Sequence, residues 1–149
     1  MPGYKLYHLF IAGSYDPEKN LIRSAACLAD PAGRIAGRVA CTQDGHKHGA
    51  PWDQASGEHA AGLAAFELGC SIAAMNGTVR ILLHAPEQVD HDVMFRAQED
   101  KSVRTDADGG MDYFGTGVFV YRPGEGAPMS AWQEAISTDT RAMCRRDMP

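Results

Sequence analysis

The segment Ser56 to Cys70, SGEHAAGLAAFELGC, is rich in alanine and glycine and follows alternating apolar runs. Ala61, Ala64, Ala65, Leu68 and Ile72 fall on one stripe at helical spacing, which predicts an amphipathic helix. Ser56 is the expected N-cap, placing Glu58 in the first turn, where a negative charge meets the positive end of the helix dipole. Asn76-Gly77 supplies a left-handed stop.

The runs before this helix predict a meander. Lys5 to Ser14 alternates loosely, with Tyr, Leu, Phe and Ile, and is broken by the turn YDPEKN. Leu21 to Ala29 reads as a second strand, closed by Asp30-Pro31-Ala32-Gly33, and Arg34 to Thr42 as a third. Short turns make the three antiparallel. The polar stretch QDGHKHGAPWDQA is a loop.

After the helix, Thr78 to His84 reads as a strand returning parallel to the first, ended by Pro86. A helix is expected over Val89 to Val103, with Val89, Val93 and Ala97 on one side. Thr105 to Asp112 reads as an acidic loop, Gly117 to Tyr121 as a fifth strand, and Gly124-Glu125-Gly126 as a turn. Ser130 to Cys144 reads as a last helix with Trp132, Ile136 and Met143 inward. The expected fold is α/β, a mixed five-stranded sheet flanked by helices on both faces. Residues 1 to 149 fit a single domain, since a chain of this size buries about 70% of its unfolded surface.

With 44% hydrophobic and 22% charged residues the composition is that of a globular protein. Apolar stretches such as Ile81-Leu82-Leu83 are far below the roughly 20 residues of a membrane span, so no membrane partner is expected. The start, MPGYKLYHLF, lacks the pattern of a secretory signal, and a cytoplasmic location is the expectation. Cys27, Cys41, Cys70 and Cys144 form no C-x-x-C pair and read as reduced, mostly buried thiols. A net charge of −5 builds in no general attraction to nucleic acid. The local basic candidates are Arg34 and Arg38, then Arg141, Arg145 and Arg146.

The element order and three motifs resemble the type 1 ribonuclease H-like family. Ile11-Ala12-Gly13-Ser14 resembles the Asp-Gly-Ser motif that ends the family's first strand. GEHAAGLAAFELG resembles its first long helix, with Glu58 in place of the catalytic acid, and RSAACLADPAGRIAGRVA resembles its second and third strands. The resemblance covers roughly residues 5 to 90. It implies a ribonuclease H-like fold and a site where magnesium or manganese, held by clustered carboxylates, cleaves RNA in RNA–DNA hybrids. Gly13 and Ser14 of that motif, with the basic residues Arg34 and Arg38, are the candidate nucleic-acid contacts.

The chain departs from that pattern where the chemistry lies. Ala12 stands at the first expected aspartate, and His84 or Ala85 at the one ending the fourth strand. Asp16 lies past the first strand and Glu87 follows Pro86, so a register shift is not expected to supply the acids. Glu134 or Asp139 is the candidate for a last acid, although both suit an ordinary helix surface. Glu58 is then the remnant of a site and a weak metal ligand, and no cofactor is expected as the chain stands.

Other constellations read as structure. His46, His48, Asp53, Glu58 and His59 have transition-metal ligand types but fit exposed loop residues better. Asp106, Asp108 and Asp112 begin like a calcium loop, but the glycine comes too early and no glutamate follows at the twelfth position. Cys41 and Cys70 sit in a strand and an apolar helix, which favours burial over nucleophilic work.

Three functions follow as expectations. The first is a ribonuclease H-like domain impaired in catalysis that binds nucleic acid, such as an RNA–DNA hybrid, or a protein. The second is an active metal-dependent ribonuclease H, or an engineered inactive variant of one. The third is a protein-interaction module without nucleic-acid binding.

Overall fold

The structure, a computed structural model, describes residues 5–48, 52–85, 89, 99, 103–124, 126 and 128–146. Strands β1 (Leu6–Asp16), β2 (Leu21–Ala29) and β3 (Ile35–Asp44) form the expected antiparallel meander. Both turns are organised by an aspartate whose side chain accepts from backbone amides. Asp16 takes those of Glu18 and Lys19, while Asp30 takes those of Ala32 and Arg34.

A short 3-10 turn (Gly45–His48) leads to helix α1 (Gln54–Met75). Then come β4 (Arg80–His84), β5 (Arg104–Thr105), β6 (Met111–Asp112), β7 (Phe119–Tyr121) and helix α2 (Ala131–Arg146). Among the described residues one mixed sheet of seven strands runs in the order β3-β2-β1-β4-β7-β6-β5. β4 is parallel to β1, and β7 to β4.

The sheet therefore has seven strands rather than the expected five. The acidic stretch after Val103 is a hairpin, in which β5 and β6 pair around a turn held by Asp106. Two-residue strands carry too little alternation to be read from sequence. The helix expected over Val89 to Val103 falls mostly outside the described residues; Val89 itself is helical and buried.

The start of α1 also differs from expectation. Asp53 is the N-cap, accepting the amide of Ser56 at 2.8 Å, so Ser56 lies within the first turn and Glu58 beyond it. Asp53 precedes Ser56 by one turn and offers the same acceptor chemistry, so the helix begins earlier. At the other end Asn76 is the C-cap and Gly77 has φ 69°, the left-handed stop expected there.

Alternation along β1 divides the core into two layers. Leu9 and Ile11 join Ala26, Leu28, Ala65, Phe66, Cys70, Ile81 and Leu83 beneath α1. Phe10, Cys27 and Ala29 meet Trp132 and Ile136 of α2, and Ala12 and Ala25 meet Met143 and Cys144. Because helices cover both faces of β2, every residue from Ile22 to Ala29 is buried. Trp132 lies over the first half of β1 and Cys144 over its end, so α2 runs in the same direction as β1. Among the described residues no helix is long and apolar enough to cross a membrane.

The contact between α1 and β1 depends on glycine. A Cβ on Gly13 would stand 2.5 Å from the Gly62 nitrogen and 2.7 Å from the Ala61 Cβ. Across the same interface the Ser24 hydroxyl donates to the Ala61 carbonyl at 2.8 Å. The atoms in the way at Gly13 are helix backbone and a methyl carbon fixed to it, and none can rotate aside. Gly13→Ala should therefore lower stability by about 3 kcal/mol, the upper part of the usual overpacking range. Urea unfolding should show this as a lower midpoint with an unchanged slope.

Candidate functional site

The positions that sequence singles out are held by different layers. Ala12 points to the α2 side, where it is 4% exposed and packs against Ala25, Met143 and Cys144. Two residues along, Ser14 lies on the same side and its hydroxyl donates to the Cys144 carbonyl. Gly13 points the other way, against the backbone of α1. Both residues of the Gly-Ser pair thus have packing roles that explain their small size.

Glu58 belongs to α1, on the opposite face of the sheet from Ala12. It is exposed, and its carboxylate accepts from Gln54 Nε2 at 3.2 Å. Gln54 also donates to the Tyr15 carbonyl at 2.9 Å, tying the first turn of α1 to the end of β1. Asp16, the nearest acid along β1, is held by the amides of its own turn.

At the end of β4 the two candidate positions diverge as well. His84 faces the α2 side, where its ring stacks on Phe10 with centroids 4.5 Å apart, whereas Ala85 packs against the core under α1. Glu134 lies exposed in the first turn of α2, over the start of β1, and Asp139 pairs with Arg38 at 2.9 Å. Glu87 lies outside the described residues. Glu58, Ala12, His84 and Ala85 are thus not brought together, and these residues do not fit a pair of magnesium or manganese ions. Such ions need convergent carboxylates in near-octahedral geometry. Among the described residues no group of three His, Cys, Asp or Glu side chains is placed to hold a metal.

His46 and the acidic hairpin have local partners. His46 pairs with Asp44, and Asp53 caps α1. Asp106 accepts from the Tyr121 hydroxyl and lies 3.6 Å from Arg80, whose guanidinium also meets Asp108 at 2.7 Å. Asp112 is buried, held by Arg104, Thr116 and the Gly117 amide. Among the basic candidates Arg38 is engaged by Asp139, while Arg141 donates to Ser137 and Thr138 on its own helix. Arg34 and Arg145 are exposed. The buried thiols Cys70 and Cys144 are raised to about 12 and about 11 by burial, which keeps both protonated and unreactive. Cys41, expected to be buried, is half-exposed because its strand is the edge of the sheet.

One cluster is not apparent from the sequence. His8 Nδ1 and His84 Nε2 lie 2.9 Å apart, beside Phe10 and under the edge of Trp132. The parallel register that puts His8 beside Leu82 and Phe10 beside His84 brings the imidazoles together. Seventy-six residues separate them, so only a correct pairing of β1 with β4 finds them. Such an N–H···N bond requires one ring to donate and the other to accept, which two neutral imidazoles satisfy. Burial, and then the neighbouring His8, lowers His84 from 6.5 to about 4, while burial alone lowers His8.

A histidine that is harder to protonate when folded makes the unfolded chain the better proton binder below pH 6.5. The stability contributed by neutral His84 is therefore complete above pH 6.5, is lost as pH falls towards about 4, and then levels off. The carboxylates of Asp44, Asp53 and Asp106 are lowered from 3.8 by hydrogen bonds, so their own losses come at more acid pH. Thermal unfolding between neutral pH and pH 4 should show a falling Tm, and His84→Phe, which keeps the stacking, should flatten that slope. No family model matches the chain, and neither the curated proteins nor the solved structures give a match.

Proposed function

We propose that this chain is a ribonuclease H-like domain that does not hydrolyse phosphodiesters and acts by binding another macromolecule. The lineage is supported by the antiparallel meander, the small-residue helix and the parallel return of β4, in the order the resemblance implies. The single observation carrying the loss of hydrolysis is the placement of Ala12. Its methyl group fills an apolar cluster beneath α2, while Glu58 stands on the helix of the opposite face. Two-metal hydrolysis requires carboxylates from both places to meet on one phosphate.

Charge favours a protein partner over a polyanion. The chain carries −5, and Arg38, Arg80 and Arg104 are each paired with an aspartate. The observation that favours nucleic acid is narrower: Arg141 and Arg145, four residues apart, present two guanidinium groups on the exposed side of α2. Phosphate contacts by these two would make binding strongly salt-dependent.

An RNA–DNA hybrid incubated with magnesium or manganese should remain intact, and Glu58→Gln should leave that result unchanged. Ala12→Asp combined with Ala85→Asp should also fail to produce cleavage, because the two side chains leave β1 and β4 towards opposite faces. Metal-dependent cleavage by either protein would overturn the reading. Hybrid binding that weakens with salt and disappears in Arg141→Ala/Arg145→Ala would make nucleic acid the ligand.

A further inference from the structure

The two ends of the sheet are unlike. One ends in β5, which is two residues long and too short to serve as a template for a further strand. The other ends in β3, ten residues with neither proline nor lysine, and no strand pairs with its outer edge among the described residues. Ala40 and Thr42, towards the end of the strand, are exposed and small. An open edge of this length exposes a row of unpaired peptide groups, ready to bond to another chain.

We infer that β3 pairs antiparallel with β3 of a second copy of this chain, joining two seven-stranded sheets across a two-fold axis. Side-chain direction limits the register. Gly37 and Val39 face the α1 side, whereas Arg38 faces α2. Opposed residues in an antiparallel pair share a face, so odd positions must meet odd and even meet even. The axis then passes beside a residue opposed to itself. Centring on Arg38 would set two guanidinium groups against each other. Centring on Cys41 instead sets Arg38 opposite Asp44 of the other copy twice, with Val39 opposite Gln43 and Ala40 opposite Thr42. Opposite charges directly across a ladder stabilise it and like charges weaken it, so charge complementarity selects the register centred on Cys41.

The helices leave room for this arrangement. α1 and α2 pack mainly on β1 and β2, not on the edge strand. With strands about 4.8 Å apart, the two β2 strands would stand about 14 Å apart across the joined edges, more than the roughly 10 Å width of a helix. Such a contact is isologous and closes on itself, giving a dimer and not a fibre. It does not depend on the chemistry proposed for the Glu58 region.

Sedimentation of the full chain over a range of concentrations should show a monomer–dimer equilibrium. Asp44→Arg and Arg38→Asp should each weaken it by about tenfold, since each replaces two attractive pairs by repulsive ones. An equimolar mixture of the two variants should recover association, because one chain then presents a cation at both positions and the other a carboxylate at both. Diamide should link two copies through Cys41. Each thiol loses a proton and an electron, one S–S bond forms, and diamide is reduced to the hydrazine. Cys41→Ser should abolish the link, since Cys27, Cys70 and Cys144 are buried. A monomer at every concentration would overturn the inference. So would a dimer insensitive to Asp44→Arg, or one that Cys41 does not cross-link.

Discussion

The approach of α1 to β1 is the constraint on which the rest of the structure depends. Gly13 admits the backbone of Ala61 and Gly62, Gly57 admits the Tyr15 ring, and Gly69 admits Leu9. Glycine on both partners brings the helix close enough for Ser24 to reach the Ala61 carbonyl. That close seating presses Phe66 and Cys70 onto Leu9, Ala26 and Leu28, and fixes the helix over β1 and β2. The helix then delivers the chain to the start of β4, which has to pair parallel to β1.

The same seating separates the residues that the ribonuclease H resemblance groups together. Once Leu9, Ile11 and Gly13 face α1, Phe10, Ala12 and Ser14 must face α2, because side chains alternate along a strand. Helix α2 closes over that second face with Trp132, Ile136, Met143 and Cys144. Ala12 is thereby sealed in an apolar layer, where an aspartate would lose its water and need a partner to stay ionised. Glu58 stands free of that layer, held by Gln54 at the end of β1. A methyl group at position 12 and a hydrogen-bonded acid on α1 are thus compatible parts of one packed arrangement.

Much of the fold was legible in the sequence because the signals were long. The bounds of β2 agree with its flanking turns, and α1 and α2 appear where their apolar spacing predicts. The β5–β6 hairpin was not, because two residues cannot display a period of two. The N-cap moved from Ser56 to Asp53 because several residues in PWDQAS can accept an amide, and packing of Trp52 on Tyr15 favours the earlier entry. The His8–His84 pair was illegible for a different reason. It arises from strand register, a property of two distant segments together.

Several aspartates of this chain act on its own backbone. Asp16 and Asp30 close the turns of the meander, Asp53 starts α1, Asp106 shapes the hairpin and Asp112 holds the amide of Gly117. A carboxylate that accepts two or more amide hydrogens already has much of its charge compensated and its lone pairs directed. Converting it to a metal ligand would strip those amides of their acceptor, a loss that costs most at the half-buried amides of Gly110 and Gly117. Asp106 and Asp112 are bound twice over, since arginines neutralise them from outside the turn. An excess of acidic residues in this fold is therefore no sign of a metal site. Five of its aspartates are committed to turns, a cap and a hairpin, and arginines balance the charge of two of them.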